Sequence, residues 1–339
     1  MRKSGQTLAV AYRPTTFEEV CGQSLTVEIL KRLVEARKFK NCYLFAGDSG
    51  CGKTTIARIL ANAINQGQGS PEEIDAASHN GVDDVRAIVE AGKQRAIGCE
   101  YKIFIIDECH AITTQGWQAY LKGLEETPAY TIYIFCTTEP NKIPEAVLNR
   151  MQRYNITKLG ADAVKNRLLM ICQLEGFTNY AQTCDFISKT THGCMRDAIM
   201  KLEQCADFST DLSLTNAQQV LNTSSYEAML YLTNSLLVKD ESCILYAIDH
   251  LASSGVDLKS FIELYIGFVL DLAKYKLFNT LAVTNIPVYL EHHVMTCISQ
   301  ADNTWFTNLV DTLLQIKLEI RYDSFYKSTI EAFLLRFCR

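Results

Sequence analysis

Two short stretches carry the residue types that handle phosphate: GDSGCGKT at residues 47–54 and IFIIDECH at residues 103–110. The first has the form G-x-x-x-x-G-K-[ST], which cradles polyphosphate when it follows a strand and opens a helix. Gly50 and Gly52 free the backbone to turn its N–H groups inward at phosphate oxygens. Asp48, Ser49, Gly50, Cys51 and Gly52, with the first helical residues Lys53, Thr54 and Thr55, form the candidate cradle. Lys53 is expected to reach the β- and γ-phosphates and the Thr54 hydroxyl to ligate magnesium. A helix starting near Lys53 adds the positive end of its dipole.

The second stretch ends a hydrophobic run on two carboxylates. In a parallel sheet that end of a strand faces the ligand crevice. Asp107 is placed to hold Mg2+ through water, and Glu108 to orient or deprotonate an attacking water. An acidic pair at a strand end can also be a plain solvated surface, and the phosphate loop upstream favours the chemical role. His110 is read as a neighbouring structural or sensing residue without assigned chemistry.

These residues need a scaffold, and the first 150 or so residues supply the pattern for one. Residues 42–47, 73–77, 102–107 and 131–137 read as short buried strands. Helical patterns at about 26–37, 54–65, 82–97 and 115–126 alternate with them, which predicts a parallel sheet with helices on both faces. Beyond residue 160 the strands stop. Residues 161–175, 183–190 and 195–205 read as short helices, and the polar stretch 207–216 as a linker. From residue 216 to residue 339 the pattern is helical, as in Phe261, Leu264, Tyr265, Phe268, Val269 and Leu272. The expected fold is α/β then all-α, in three domains at 1–158, 159–208 and 209–339.

Bulk composition narrows the class. With 339 residues, 48% hydrophobic and 21% charged, the chain reads as globular with more than one core. A net charge of −5 argues against a free-standing DNA binder, because phosphate contacts need clustered Lys and Arg. The 13 cysteines are odd in number and form no CxxC pair, so no zinc is expected. Cys42 and Cys136 sit in apolar runs and read as buried hydrophobes. Free thiols in this number point to a reducing compartment, here the cytoplasm. The opening MRKSGQTLAV has no long apolar stretch, and no run approaches a membrane span, so no membrane association is expected.

Four further segments add a resemblance. LAVAYRPTTFEEVCGQ (8–23), EIDAASHNGVDDVR (73–86), LKGLEETPAYTIYIFCTTEPNKIPEAVLNR (121–150) and GCMRDAI (193–199) resemble AAA+ clamp-loader ATPases of the bacterial DNA polymerase III gamma/tau type. The likeness is strong over 8–205 and looser beyond. It implies an AAA+ RecA-like ATP-binding domain, a helical lid and a C-terminal helical collar for oligomerisation. It also implies ATP with Mg2+, and membership of a five-subunit ring that loads a sliding clamp onto primer–template DNA during replication.

Carried over position by position, Tyr12, Arg13, Pro14 and Val20 would line the adenine pocket. Thr138 would be the polar first sensor and Arg196 the lid arginine touching the γ-phosphate. Arg150 would be the finger given in trans to a neighbour's ATP. The family shows Ser-Arg-Cys there and this chain Asn149-Arg150-Met151, so Arg153 stays open as an alternative. The family's four-cysteine zinc module is replaced by the short NQGQGSPEE at 65–73, a compact form suggesting a bacterial or phage-infected host cell.

For DNA, the resemblance points to a helix opening after Asn80 and Gly81, whose free N–H groups could track phosphates, aided by Arg86 and by Lys93 and Arg95. A solvated helix face is the alternative. The stretch 112–117 is expected either to grip the clamp or, through Trp117, to join the core. Other DNA-acting motors, a DExH helicase or a silent ATP-binding scaffold remain as alternatives. A second motor domain for a helicase is not visible after residue 160, and residues 66–100 lack the aromatic pore loop of an unfoldase.

Overall fold

The computed structural model describes residues 5–221, 226–286, 290–299, 301–321, 323 and 325–338. The first four residues of the opening segment lie outside the described residues. By contacts the chain divides into two compact units, Met1–Gly176 with Thr191–Glu203, and Phe177–Thr190 with Gln204–Arg339.

The first unit is built on five parallel strands. Helices α1 (Leu8–Ala11) and α2 (Ser24–Glu35) precede β1 (Cys42–Ala46) and α3 (Lys53–Ile64). There follow β2 (Glu72–Asp75), α4 (Val82–Gly92), β3 (Lys102–Asp107), α5 (Thr114–Glu125) and β4 (Thr131–Thr137). α6 (Glu145–Leu148), β5 (Gln152–Asn155) and α7 (Ala161–Glu175) complete the series. The strand order is β2-β3-β4-β1-β5, with Leu44 opposite Phe135 and Ile106 also opposite Phe135.

The central strands are apolar on both faces because both faces are covered. Tyr43, Phe45, Ile105 and Ile134 point into a core shared with Leu30 of α2 and Ile56 and Leu60 of α3. Their neighbours Leu44, Phe104, Ile106 and Phe135 point the other way, to Val85 of α4 and Trp117 and Tyr120 of α5. Each fully buried Leu or Phe contributes about 1.5–3 kcal/mol relative to exposure.

Several expectations need correction. β2 is an edge strand and mostly exposed rather than buried. β5, QRYN, has only Tyr154 buried and offers no apolar run to read, so it was absent from the expected strands. α4 ends at Gly92 rather than near residue 97; that glycine lies against β4, where a Cβ would stand 2.3 Å from Tyr133 Oη. Arg95 therefore lies beyond the helix, with its guanidinium 4.9 Å from the Tyr130 ring centre. In the stretch 112–117 Trp117 joins the core, one of its two expected placements. Ile112 and Trp117 are buried, and only Thr113, Thr114 and Gln115 are exposed.

The second unit is helical: α8 (Ala181–Thr190), α10 (Leu214–Val220), α11 (Tyr226–Leu237), α12 (Glu241–Ser253), α13 (Leu258–Phe278), α14 (Glu291–Ile298), α15 (Asn303–Glu319) and α16 (Tyr326–Cys338). Residues 204–208 of α9 (Met195–Phe208) belong to it as well. Its core gathers Leu232, Ile248, Phe261, Tyr265, Leu272, Leu313 and Leu334. The buried Asp271 carboxylate accepts from Lys274 at 2.7 Å and from the Asn285 backbone N–H at 2.9 Å, as a buried charge requires.

The polar stretch 207–216 is not a free linker. Only residues 209–213 lie outside helices, Leu212 is buried, and Asp211 bridges Thr178. The thirteen cysteines are free, with Cys42 and Cys136 buried. Among the described residues no helix is long and apolar enough to cross a membrane.

Candidate active site

The phosphate-type loop leaves β1 at the edge of a cavity of about 200 Å³ in the first unit. Gly47 is pressed against β5's exit: a Cβ would lie 2.1 Å from the Ile156 carbonyl oxygen, so no other residue fits without moving backbone. Gly50 and Gly52 have φ of 72° and 102°, in the region L side chains avoid. A Cβ on Gly50 would also stand 2.1 Å from Cys194 Sγ. Gly52 caps the start of α3, so the loop runs directly into a helix N-terminus.

Lys53 is buried at 5% exposure, and its Nζ donates to the Asp48 carbonyl at 2.9 Å. A buried ammonium with one carbonyl partner is an incompletely paired cation facing a cavity. Thr54 Oγ1 donates to Asp107 Oδ2 at 2.8 Å. The two come from the start of α3 and the end of β3. This oxygen pair fits magnesium, which takes hard ligands and needs few from protein when phosphates supply others. Among the described residues no three His, Cys, Asp or Glu side chains cluster as a metal site.

Glu108 has φ 46° and ψ 42°, a left-handed conformation rare and strained for a residue with a Cβ. Its N–H donates to Asp107 Oδ1 at 3.0 Å, and its Oε2 accepts from Thr138 Oγ1 at 3.4 Å. The cavity lining includes Ser49, Gly50, Cys51, Gly52, Lys53, Thr54, Thr55, Asp107, Glu108 and Arg196, together with Tyr12, Arg13, Pro14 and Val20. Asp48 is not among the lining residues; its carboxylate lies 3.4 Å from Lys158 Nζ. Arg196 enters from the first turn of α9, after Gly193, whose φ of 81° lets it sit against Leu159.

Arg167 was not singled out by the sequence reading, yet it lines the same cavity and is 9% exposed. Its Nη2 donates to the Tyr12 carbonyl at 2.7 Å, while Tyr12 Oη donates to Glu175. Burial, then the Glu175 contact, pushes the Tyr12 phenol up to about 12, so it remains a donor. A signal was present: Arg167 interrupts the buried stripe Val164, Leu168 and Ile171 of α7. A guanidinium hydrogen bond is worth about 1.5–3 kcal/mol, so Arg167→Ala releases the Tyr12 backbone beside the cavity and should lower nucleotide affinity by up to about tenfold. An unchanged Kd in a fluorescence titration removes Arg167 from this site.

The remaining candidates lie elsewhere on the first unit. Arg150 is exposed and donates to the Ala146 carbonyl at 2.7 Å and to Glu125 at 2.6 Å. Arg153, on β5, donates to Asn155 Oδ1 at 2.9 Å. Neither lines the cavity. At the start of α4 the Gly81 N–H already donates to Asp84 Oδ2 at 3.2 Å. The Asn80 carbonyl accepts from the Thr113 N–H at 3.2 Å, and Arg86 pairs with Asp83 at 3.3 Å. Asp83 and Asp84 in the first turn offset the positive end of the helix dipole, so a DNA phosphate there has to displace a carboxylate.

A parallel 2-3-4-1-5 sheet with a glycine-rich loop between its β1 and the next helix, and an acidic pair at the end of β3, is the arrangement of a P-loop nucleotide-binding domain. Residues 43–159 match the family model described as the ATPase family associated with various cellular activities (AAA). These residues therefore carry an AAA-type module, and the chain as a whole is similar to bacterial clamp-loader subunits. It is 30% identical to the DNA polymerase III subunit tau of Bacillus subtilis over 99% of this chain and 64% of that protein. It is also 30% identical to the DNA polymerase III subunit gamma/tau of Mycoplasma genitalium, over 93% of this chain and 58% of that one. The chain thus spans about three-fifths of the length of these curated relatives. In fold it is similar to the Thermotoga maritima RuvB Holliday junction branch migration motor, with a TM-score of 0.53 and 16% identity over 73% of this chain and 86% of that chain.

Proposed function

We propose that this chain is an ATP-hydrolysing subunit of a sliding-clamp loader acting in DNA replication. The observation that carries the reading is the Thr54–Asp107 hydrogen bond at the mouth of a glycine-rich loop, in a chain similar to gamma/tau subunits along nearly its whole length. Bound Mg2+ would neutralise phosphate charge. Thr54 and Asp107 would hold it, while Lys53 and the loop N–H groups bind the phosphates. Glu108 orients the attacking water, with Thr138 beside it. Arg196 supplies charge from α9, and Tyr12, Arg13, Pro14 and Val20 form the base end of the site.

In this reading residues 1–158 are the ATP-binding domain, 159–208 the lid and 209–339 the oligomerisation collar. The working form is a ring with other loader subunits, in the cytoplasm of a bacterial or phage-infected cell. Primer–template DNA is held without base readout, and Asn80, Gly81 and Arg86 are the candidate contacts. In this reading a neighbour's Arg150 completes each site, which agrees with its place outside the cavity of its own chain.

The test is ATP turnover with and without primed DNA and a clamp. A loader is slow alone and stimulated by both, whereas strand displacement without any clamp would replace this reading by a helicase. Arg150→Ala should leave ATP affinity of the isolated chain unchanged and slow the assembled complex by about a hundredfold, the cost of removing one transition-state donor. Full activity of the assembled variant moves the finger to Arg153 or elsewhere.

A further inference from the structure

His110 stands beside the acidic pair, in a short turn (Cys109–Ala111) that follows Glu108 directly. Its ring is 20% exposed and meets acceptors on both sides. Nδ1 lies 3.3 Å from Glu108 Oε2 and 3.3 Å from Thr137 Oγ1. Nε2 lies 3.5 Å from Glu139 Oε1. Glu139 is itself fixed, because its Oε1 accepts from Lys142 at 2.8 Å and its N–H donates to Thr137 Oγ1 at 3.0 Å. Lys142 holds the Glu139 carboxyl below its ordinary range, so that carboxylate stays charged towards the ring.

The consequence for Glu108 is geometric. Both side-chain contacts, from His110 and from Thr138, fall on Oε2. Among the described residues none hydrogen-bonds Oε1. A carboxylate that must take a proton from water needs one oxygen open and its plane fixed. The backbone of Glu108 cannot fix it alone, since a single left-handed residue leaves the side-chain torsions free. With its proton on Nδ1 the ring can donate to Glu108 Oε2, and with a proton on each nitrogen it spans Glu108 and the Glu139–Lys142 pair.

We propose that His110 is a positioning residue for Glu108, tethering one carboxylate oxygen to the β4 exit so that the other faces the attacking water. The inference rests on the ATPase reading above. It concerns turnover and not nucleotide capture, because His110 does not line the cavity.

The experiment measures ATP affinity of the full chain and ATP turnover of the assembled complex, for the wild type and three variants. His110→Ala should lower kcat by about tenfold, a modest misplacement of the base, with Kd for ATP unchanged. His110→Asn, whose amide N–H can stand in for Nδ1, should recover most of that loss. Glu139→Gln, on the exposed side, should lower kcat a few-fold without touching affinity. The assignment is overturned if His110→Ala turns over at the wild-type rate, if affinity falls in step with kcat, or if His110→Asn is no better than His110→Ala. A wild-type chain that binds ATP but never hydrolyses it even in the assembled complex with primed DNA and clamp overturns the ATPase reading itself, a separate and earlier failure that takes this assignment with it.

Discussion

Lys53→Ala should abolish measurable ATP binding. The ammonium is 5% exposed, held by a single carbonyl of its own loop, and aimed into the cavity that the glycines shape. A triphosphate brought there without it is a buried charge left uncompensated. Removing one partner of a buried pair costs about 3–5 kcal/mol, more than a hundredfold in affinity. The variant should fold, because Lys53 in the wild type is itself a costly buried cation and alanine favours helix at that position. Isothermal titration with ATP and Mg2+ is the direct measurement. The rise in Tm that saturating ATP gives the wild type should vanish with it. Wild-type affinity in the variant would falsify the assignment of this loop to phosphate.

Glu108→Gln separates capture from chemistry. The substitution keeps size and the left-handed backbone position, and an amide oxygen can still accept from Thr138 while lying beside His110 Nδ1. What it removes is the charge that draws a proton from water. General-base assistance contributes about 10²–10⁴ in rate, so turnover should fall by that factor while ATP affinity stays as in the wild type. Single-turnover hydrolysis of pre-bound ATP reads this without interference from product release. If hydrolysis in the variant keeps pace with the wild type, water is activated by another group and Glu108 is only a polar rim residue. The two variants together predict opposite failures, one of binding and one of turnover, from side chains lining one cavity.

Much of this arrangement could be read directly from residue order. The strands at 102–107 and 131–137 and the helix at 161–175 lie where apolar runs and turn residues put them. Such elements are legible because their pattern is local: a strand buried on both faces is a short apolar run whatever its neighbours are. β5 was not legible, because QRYN earns its place only by pairing with β1, with Leu44 opposite Arg153. Trp117 shows the same limit, since a helix face reads alike whether it packs on a sheet or on a partner. Its burial against Phe135 is a fact of tertiary packing.

Residue order alone determined the loop that can turn around phosphate, the acidic pair and the strand–helix alternation that carries them, because glycine spacing and apolar periodicity act over a few residues. Tertiary structure decided which distant groups meet. Thr54 and Asp107, 53 residues apart, touch because β1 and β3 flank β4 in one parallel sheet and end on the same side. Arg167 reaches Tyr12 across 155 residues, and His110 finds Glu139 only because β3 and β4 are adjacent. Strand order and register are set by the whole core, and no local pattern contains them.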